Sequence, residues 1–450
     1  FLEIQQRGHY IVLGDIDLRG GSNYQYRFGN DNLKFEGTID FNGQSLIRDI
    51  TSTSAIIWNV GQNGIIKNLK LQVYLNNKTD SLNVFGLFQS NYGKIENIMV
   101  EILESTKVQN RGVYILGYCN YGVITNFVIN LKVNLYGNSV ITCGVRLNYG
   151  TVKNGYLYGK NIVAIGKQII SDAGTRQIGG IAIQQGGSSA KVSNVYSLIN
   201  VEIEEPNTSN ENVANVITDN SNGLTENVYS VLSGYNANLS NGPTIYSGVQ
   251  NLINNAYYFA NVRFNNSLNR TTTKLALKDV NFQNNILNSE NQFNVDELMK
   301  QGYYPQIKMP DCMESQEYIE LPEIEDADLP DILYTEVLEQ GTNKCKVKFT
   351  INNPTSETIS KITLSNINCD IISQEYADGR TEVIAELNNP TIYVSSYSIT
   401  SITTKGAFNA EYTRYFENDE RTINVDLYRE VYNIDDWKNM KNSTTENYML

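Results

Sequence analysis

Histidine is almost missing from this chain: among 450 residues there is one, His9. A site of two or three histidines is therefore excluded, as is a His-x-x-x-His helix, and a Ser-His-Asp triad would have to use His9. Cysteine is sparse and odd in number. Cys119, Cys143, Cys312, Cys345 and Cys369 are widely spaced, which gives neither a disulfide framework nor a Cys-x-x-Cys site, and they read as small buried apolar residues. Basic residues are too few for a general binder of phosphate backbones, 35 against 48 acidic ones for a net charge of −13. No run of 18 apolar residues occurs and no basic-then-apolar leader precedes Phe1, so the chain reads as a soluble piece cut from something longer. With 33 glycines, eight prolines and 18% charged residues, collagen, coiled coil and wholesale disorder are also excluded.

What is abundant is amide and phenol. Sixty asparagines and 30 tyrosines bias the chain toward turns and strands, because Asn disfavours helix interiors and Tyr favours sheets. The length suggests two to four domains.

A repeat dominates the first half. Gln62-Asn63-Gly64-Ile65-Ile66-Lys67-Asn68 recurs as Asn91-Tyr92-Gly93-Lys94-Ile95-Glu96-Asn97, then as Asn120-Tyr121-Gly122-Val123-Ile124-Thr125-Asn126 and Asn148-Tyr149-Gly150-Thr151-Val152-Lys153-Asn154. Degenerate copies end at Asn194 and Asn227. The closing asparagines are 29, 29, 28, 40 and 33 residues apart, the signature of a solenoid with insertions. After each Asn the apolar residues alternate, as in Leu69, Leu71, Val73 and Leu75, which marks strands with one buried face. Before it, the apolar residue sits two positions upstream (Ile66, Ile95, Ile124, Val152, Val192). The parity changes at the Asn, so the chain is expected to bend there in the left-handed conformation Asn tolerates. Amides at matching positions of stacked turns can then bond into a ladder. The expected architecture is all-β: a right-handed parallel β-helix over residues 1–310, with Asn68, Asn97, Asn126, Asn154 and Asn194 and Gly64, Gly93, Gly122 and Gly150 as its structural positions. A β-sandwich would space its strands more closely and carry no seven-residue signature in register.

Open solenoid ends need cover. Asn294 to Gly302 reads as a short capping helix, with Asn294 at its N-cap, Glu297 completing a capping-box-like pair and Gly302 stopping it. Residues 311–331, with nine acidic residues and no basic ones, read as a solvated linker. Residues 332–430 carry about seven short strand patterns with turns at Asn353-Pro354, Asp378-Gly379 and Asn389-Pro390, as expected of an immunoglobulin-like sandwich. Residues 431–450 read as the start of a further unit, since Glu446-Asn447-Tyr448-Met449-Leu450 parallels Gly8-His9-Tyr10-Ile11-Val12.

The segment Gly86-Leu87-Phe88-Gln89-Ser90-Asn91-Tyr92-Gly93-Lys94-Ile95-Glu96-Asn97 resembles the GLUG-type repeat of Gram-positive surface proteins. The opening Tyr10 to Leu18 and the stretch Phe35 to Gly43 do so too. The resemblance spans roughly residues 8–310. It implies a right-handed β-helix in an adhesin-like setting. Such repeats also occur in the non-catalytic region that precedes the protease domain of zinc metalloproteases cleaving immunoglobulin A1, and Tyr303-Tyr304-Pro305-Gln306-Ile307 followed by a sandwich is similar to that family. The metalloprotease motif itself is absent, since it needs more than one histidine.

Several residues are candidate sites. Asp15 and Asp17 form an acidic pair that could bind calcium or serve as acid and base, or simply be a solvated strand face. Lys70, Lys94, Lys132 and Lys153 are scattered rather than grouped with carboxylates, as a polysaccharide lyase would need. Tyr92, Tyr121 and Tyr149 recur at one repeat position, either as an aromatic stripe for sugar rings or as a stack consolidating a corner. Lys346 or Lys348 opposite Asn388 or Asn389 would permit an isopeptide cross-link. The expectation drawn from all this is a non-catalytic, extracellular surface module, secreted or wall-attached, monomeric and without a cofactor. It would present a face to a host or matrix glycoprotein or polysaccharide, with no nucleic-acid partner and no membrane insertion. The alternatives are the accessory N-terminal region of a secreted zinc metalloprotease, and a carbohydrate-binding or carbohydrate-active β-helix.

Overall fold

The computed structural model describes residues 6–20, 33–50, 55–76, 83–107, 112–166, 176–204, 211–214, 217–220, 223–231, 253–259, 270–271, 274–340, 344–388, 396–406, 411–416, 421–424, 428–430, 434–435, 437–438 and 447–449. The chain divides into two compact units, one of residues 1–272 with 283–321 and the other of residues 273–282 with 322–450.

The first unit is a β-solenoid of about six turns. Its long sheet stacks His9–Ile11, Thr38–Asp40, Ile65–Leu75, Lys94–Ser105, Val123–Leu131, Thr151–Gly159, Lys191–Ser197, Leu224–Val231, Ile253–Phe259 and Arg270–Thr271 in that order. A second sheet runs from Ile57–Val60 through Phe88–Asn91, Gly117–Asn120, Val145–Asn148 and Ala182–Gln185 to Ile217–Asn220, and a third from Asn83–Phe85 to Glu211–Ala214. Within these three sheets every pairing is parallel and joins one turn to the next. Ile66, Ile95, Ile124, Val152 and Val192 lie in one register line, and all five are buried.

The repeat explains this geometry. Asn68, Asn97, Asn126, Asn154, Asn194 and Asn227 all have φ between +53° and +56°, so the six strands that carry them bend there, and the buried set shifts by one residue, as from Ile66 to Leu69, Leu71 and Val73. The stacking also demands glycine at a second position. A Cβ on Gly122 would lie 2.1 Å from the Gly93 carbonyl oxygen, and one on Gly150 would lie 2.1 Å from that of Gly122.

Residues 283–321 lie on the flank of this stack. Gln316 accepts a hydrogen bond from Tyr156, the Pro305 carbonyl accepts one from Tyr196, and Glu317 accepts from Asn130. The helix expected over 294–302 is present as Val295–Lys300, but Asn294 makes no side-chain capping bond, and its backbone N–H, which Glu297 would take in a capping box, donates to the Gln306 carbonyl. Gly302, at φ +87°, ends it as expected. Helices at Lys274–Leu277 and Val280–Leu287 were not foreseen. The acidic stretch 311–331 is divided between the two units at Leu321, and its first part is packed: Met313 is buried and Glu317 is paired with Lys132.

The second unit holds an antiparallel sheet ordered Asp331–Gln340, Lys344–Asn352, Arg380–Asn388, Ile367–Ala377, Thr358–Leu364, Ser396–Lys405 and Glu411–Tyr415, with Thr422–Asn424 also on Ser396–Lys405. Its core gathers Val347, Phe349, Ile351, Ile362, Val383 and Ile402, all at most 1% exposed. The edge strand Asp331–Gln340 is interrupted by register shifts at Leu333 and Leu338, a device that discourages edge pairing. Tyr428–Glu430 and Asn447–Met449 form a separate parallel pair.

Candidate functional site

The repeat's two asparagines build two separate ladders. In the first, Asn68 Nδ2 donates to Asp40 Oδ1 (2.9 Å), Asn97 to Asn68 (2.9 Å) and Asn126 to Asn97 (3.1 Å). Farther on, Asn194 donates to Asn154 (3.0 Å) and Asn227 to Asn194 (3.1 Å). Between Asn126 and Asn154 the ladder detours through Thr125, whose hydroxyl accepts from Asn154 and donates to Asn126. In the second ladder the polarity is reversed. Asn91 Nδ2 donates forward to Asn120 Oδ1 and Asn120 to Asn148 Oδ1, each at 2.8 Å, and all three side chains are fully buried.

Tyr92, Tyr121 and Tyr149 stand beside this buried ladder and stack in parallel, with centroids 4.7 and 5.1 Å apart. The Lys34 ammonium sits over the first ring at 4.1 Å. At the other end Gly186 takes the tyrosine position of the next turn, where a Cβ would lie 3.0 Å from the Tyr149 ring. The ring faces are thus spent on one another, and Tyr121, at 45% exposed, offers an edge and a hydroxyl. Burial and then the neighbouring Cys119 thiol push the Tyr121 phenol up to about 12, while burial pushes Cys119 up to about 11.

A second tyrosine stack was not read from the sequence. Tyr156, Tyr196 and Tyr229, two residues after their asparagines, stack at 4.8 and 5.1 Å with interplanar angles of 3° and 4°. They point away from the solenoid core and yet are fully buried, with Tyr304 and Phe293 against Tyr196. The signal was a tyrosine at the same offset in three copies. What it required was a covering segment, and that segment lies some hundred residues downstream.

The weighed carboxylates do not converge. Asp17 pairs with Arg19 at 2.6 Å, and hydrogen bonds from that arginine hold its carboxyl down at about 2. Arg19 is thus a basic partner two residues along the same segment. Asp15 accepts from the Ser45 backbone at 2.6 Å. Among the described residues, no three His, Cys, Asp or Glu side chains are grouped as a metal would need. Lys94 pairs with Glu96, Lys132 with Glu317 and Lys153 with Glu290. For the cross-link, Lys346 faces Glu386 and pairs with Glu339, and Lys348 faces Ile384 and pairs with Glu382. Asn388 lies opposite Lys344, and Asn389 falls outside the described residues. Neither lysine therefore lies opposite Asn388. The five cysteines are free thiols, and of these Cys312 is exposed.

No family model, no curated protein and no solved structure matches this chain.

Proposed function

We propose that this chain is a non-catalytic, extracellular surface module that displays a stiff, patterned face to a host or matrix glycoprotein or polysaccharide. The observation that carries this reading is how the repeat spends its reactive groups. Its amides bond to amides, its phenols stack on phenols, and its lysines pair with single carboxylates. Such periodic self-pairing builds length and rigidity, whereas acid-base chemistry needs groups whose environments are set apart from one another. The surface location and the adhesin-like setting rest on the resemblance of Gly86 to Asn97 to GLUG-type repeats. In the same reading the coil is right-handed and the helical segment 283–321 is its lateral cover. Support for reading the second unit as an immunoglobulin-like sandwich comes from strand order: numbered along the chain, its strands run 1-2-5-4-3-6-7 through one sheet, which, divided between 4 and 3, is the order of that fold's two sheets.

A second reading keeps the same architecture as the accessory front of a secreted zinc metalloprotease, favoured by Tyr303 to Ile307 followed by the sandwich. One experiment addresses both. Immobilised matrix glycoproteins and glycans are probed with the intact chain, and each bound partner is then checked for cleavage. Saturable binding with the partner left intact is the expected result. Turnover of a bound polysaccharide or protein by the chain alone would overturn the proposal.

A further inference from the structure

The structural positions of the repeat carry the same residue turn after turn, so a position that changes residue at every turn is set by something other than stacking. One such position lies in the second sheet. Ile57 pairs with Phe88, Phe88 with Gly117, Gly117 with Val145 and Val145 with Ala182; two residues on, Asn59, Ser90, Cys119, Leu147 and Gln184 pair in the same succession. The residues between them, Trp58, Gln89, Tyr118, Arg146 and Ile183, therefore share one line along the stack, about 4.8 Å apart from turn to turn. Ile57, Phe88, Val145 and Ala182 belong to the solenoid core, so alternation places this line on the outer side. Trp58, Gln89, Tyr118 and Arg146 are half-buried, and Tyr118 packs on an apolar cluster of Ala55, Tyr114, Val140 and Ile183 that is separate from the core.

Arg146 is the charged member of the line. Its guanidinium carbon lies 5.0 Å from the Tyr118 ring centroid and 5.7 Å from that of Tyr114, and its Nη1 donates to the Tyr118 hydroxyl at 2.7 Å. Those two rings meet edge to face. Two aromatic rings and a hydroxyl thus fix the guanidinium, yet among the described residues no carboxylate pairs with it, whereas Lys94, Lys132 and Lys153 each have one. Two turns away Gln89 Oε1 is buried and accepts no hydrogen bond. The last torsion of a glutamine is soft, so this amide can turn to meet a ligand hydroxyl.

We propose that the line from Gln89 to Arg146 binds an acidic glycan, with Arg146 taking the carboxylate of an acidic sugar. One guanidinium N–H is given to Tyr118, and the donors left on the planar fork match a carboxylate in bidentate fashion. Trp58 and Tyr118 flank Gln89 and offer aromatic surface to sugar rings, the mixture of aromatics and a few placed polar groups that ligand sites use. The net charge of −13 repels polyanions at large, so an anion that binds is recognised locally. The inference rests on the reading of this chain as a module that displays a face to a glycoprotein or polysaccharide, and it gives that face a place and a ligand class.

The test is calorimetric titration of the intact chain with a hyaluronan tetrasaccharide, whose acid lies within the glycan, and with sialyllactose, whose acid lies at its tip. Each is used as the free acid and as the methyl ester. Saturable binding of one acid is expected, weakening as salt is raised, and the acid that binds identifies the source. Arg146→Gln should weaken that binding about tenfold, and so should esterifying the probe on the intact chain. The ester should bind the intact chain and Arg146→Gln alike, since either change removes the same contact. Arg146→Lys, which keeps the charge and loses the fork, should fall between. The ester comparison needs no variant and reads the contact even where Arg146→Gln folds poorly. No binding of either acid, equal affinity for acid and ester, or an acid affinity unchanged in Arg146→Gln would each overturn the site; neutral glycans bound alike by both chains would leave the display reading standing. A sulfated oligosaccharide or a glutamate peptide bound as tightly, and lost equally in Arg146→Gln, would overturn the assignment to a sugar carboxylate. Cleavage of a bound acid by the intact chain would overturn the display reading while supporting the site.

Discussion

Replacing Asn120 by alanine tests whether the buried amide ladder carries the solenoid. Asn120 is fully buried; its Nδ2 donates to Asn148 Oδ1 and its Oδ1 accepts from Asn91 Nδ2, each at 2.8 Å. Alanine removes both bonds and leaves one donor and one acceptor buried. At about 1–3 kcal/mol for each orphaned group, the loss is about 2–6 kcal/mol before any cost of the void. Asn97→Gly is the contrasting change. Asn97 is half-buried at φ +54° and holds rungs to Asn68 and from Asn126. Glycine keeps that backbone conformation and water can reach the freed amides, so the loss should be about 0.5–1.5 kcal/mol. Asn97→Ala should cost about 1–2 kcal/mol more than Asn97→Gly, because alanine has no ease in the left-handed region. Urea unfolding followed by Trp58 fluorescence reads the solenoid directly, since Trp58 lies in the second sheet and Trp437→Phe removes the other reporter. An Asn120→Ala loss no larger than that of Asn97→Gly would refute the ladder argument. Asn120→Asp adds a pH signature. Burial raises a carboxyl's folded pKa above its unfolded value, so the variant is least impaired below about pH 4 and loses stability as pH rises through that value.

Other outcomes follow from the same geometry. Tyr121→Ala removes two stacking contacts worth about 0.5–1.5 kcal/mol each, and should lower the solenoid's melting temperature while leaving affinity for any bound glycan unchanged; lost binding at unchanged stability would make the tyrosine edge a contact surface. Gly122→Ala should unfold or markedly destabilise the solenoid, because its Cβ meets the Gly93 carbonyl oxygen at 2.1 Å, and a circular-dichroism melt superimposable on the parent's would contradict the close-stacking argument. Glu317 is held below the usual carboxylate range by its hydrogen bond from Lys132, and Glu290, although burial pulls it up, is held below by Lys153 and Asn154. Both folded pKa values are depressed, so their stabilisation is complete above the unfolded value of about 4.3 and is lost as pH falls through the folded ones. Hydrogen exchange across residues 289–317 should therefore accelerate, relative to the rest of the solenoid, below about pH 4, and uniform protection down to pH 2 would exclude these pairs as the fastening.

The solenoid was legible because each of its turns solves the same local problem with the same residues. Asn68 and its equivalents announce a bend through the change of parity, and the left-handed φ at all six is what that change required. The glycine column and the stack of Tyr92, Tyr121 and Tyr149 were equally visible, since residues at one repeat position meet one another when turns pile up in parallel. The repeat position alone allows that tyrosine column either to stack or to stay open, and ring separations near 5 Å decide for stacking.

Beyond the repeat, tertiary structure decided. The fastening of residues 283–321 joins Lys153 to Glu290, 137 residues away, and Asn130 to Glu317, 187 residues away. No local period records such pairs. For the same reason a stretch of nine acidic residues reads by composition as a solvated linker, while its first part is packed against lysines and tyrosines of distant turns. Alternation puts Tyr156, Tyr196 and Tyr229 on the outward side of their strands and tells nothing of what covers that side. The sequence by itself determined the conformation of each turn and the repetition that stacks them, through backbone sterics and in-register side chains. Which outward face is covered, and by what, depended on long-range contacts that exist only once the stack has formed.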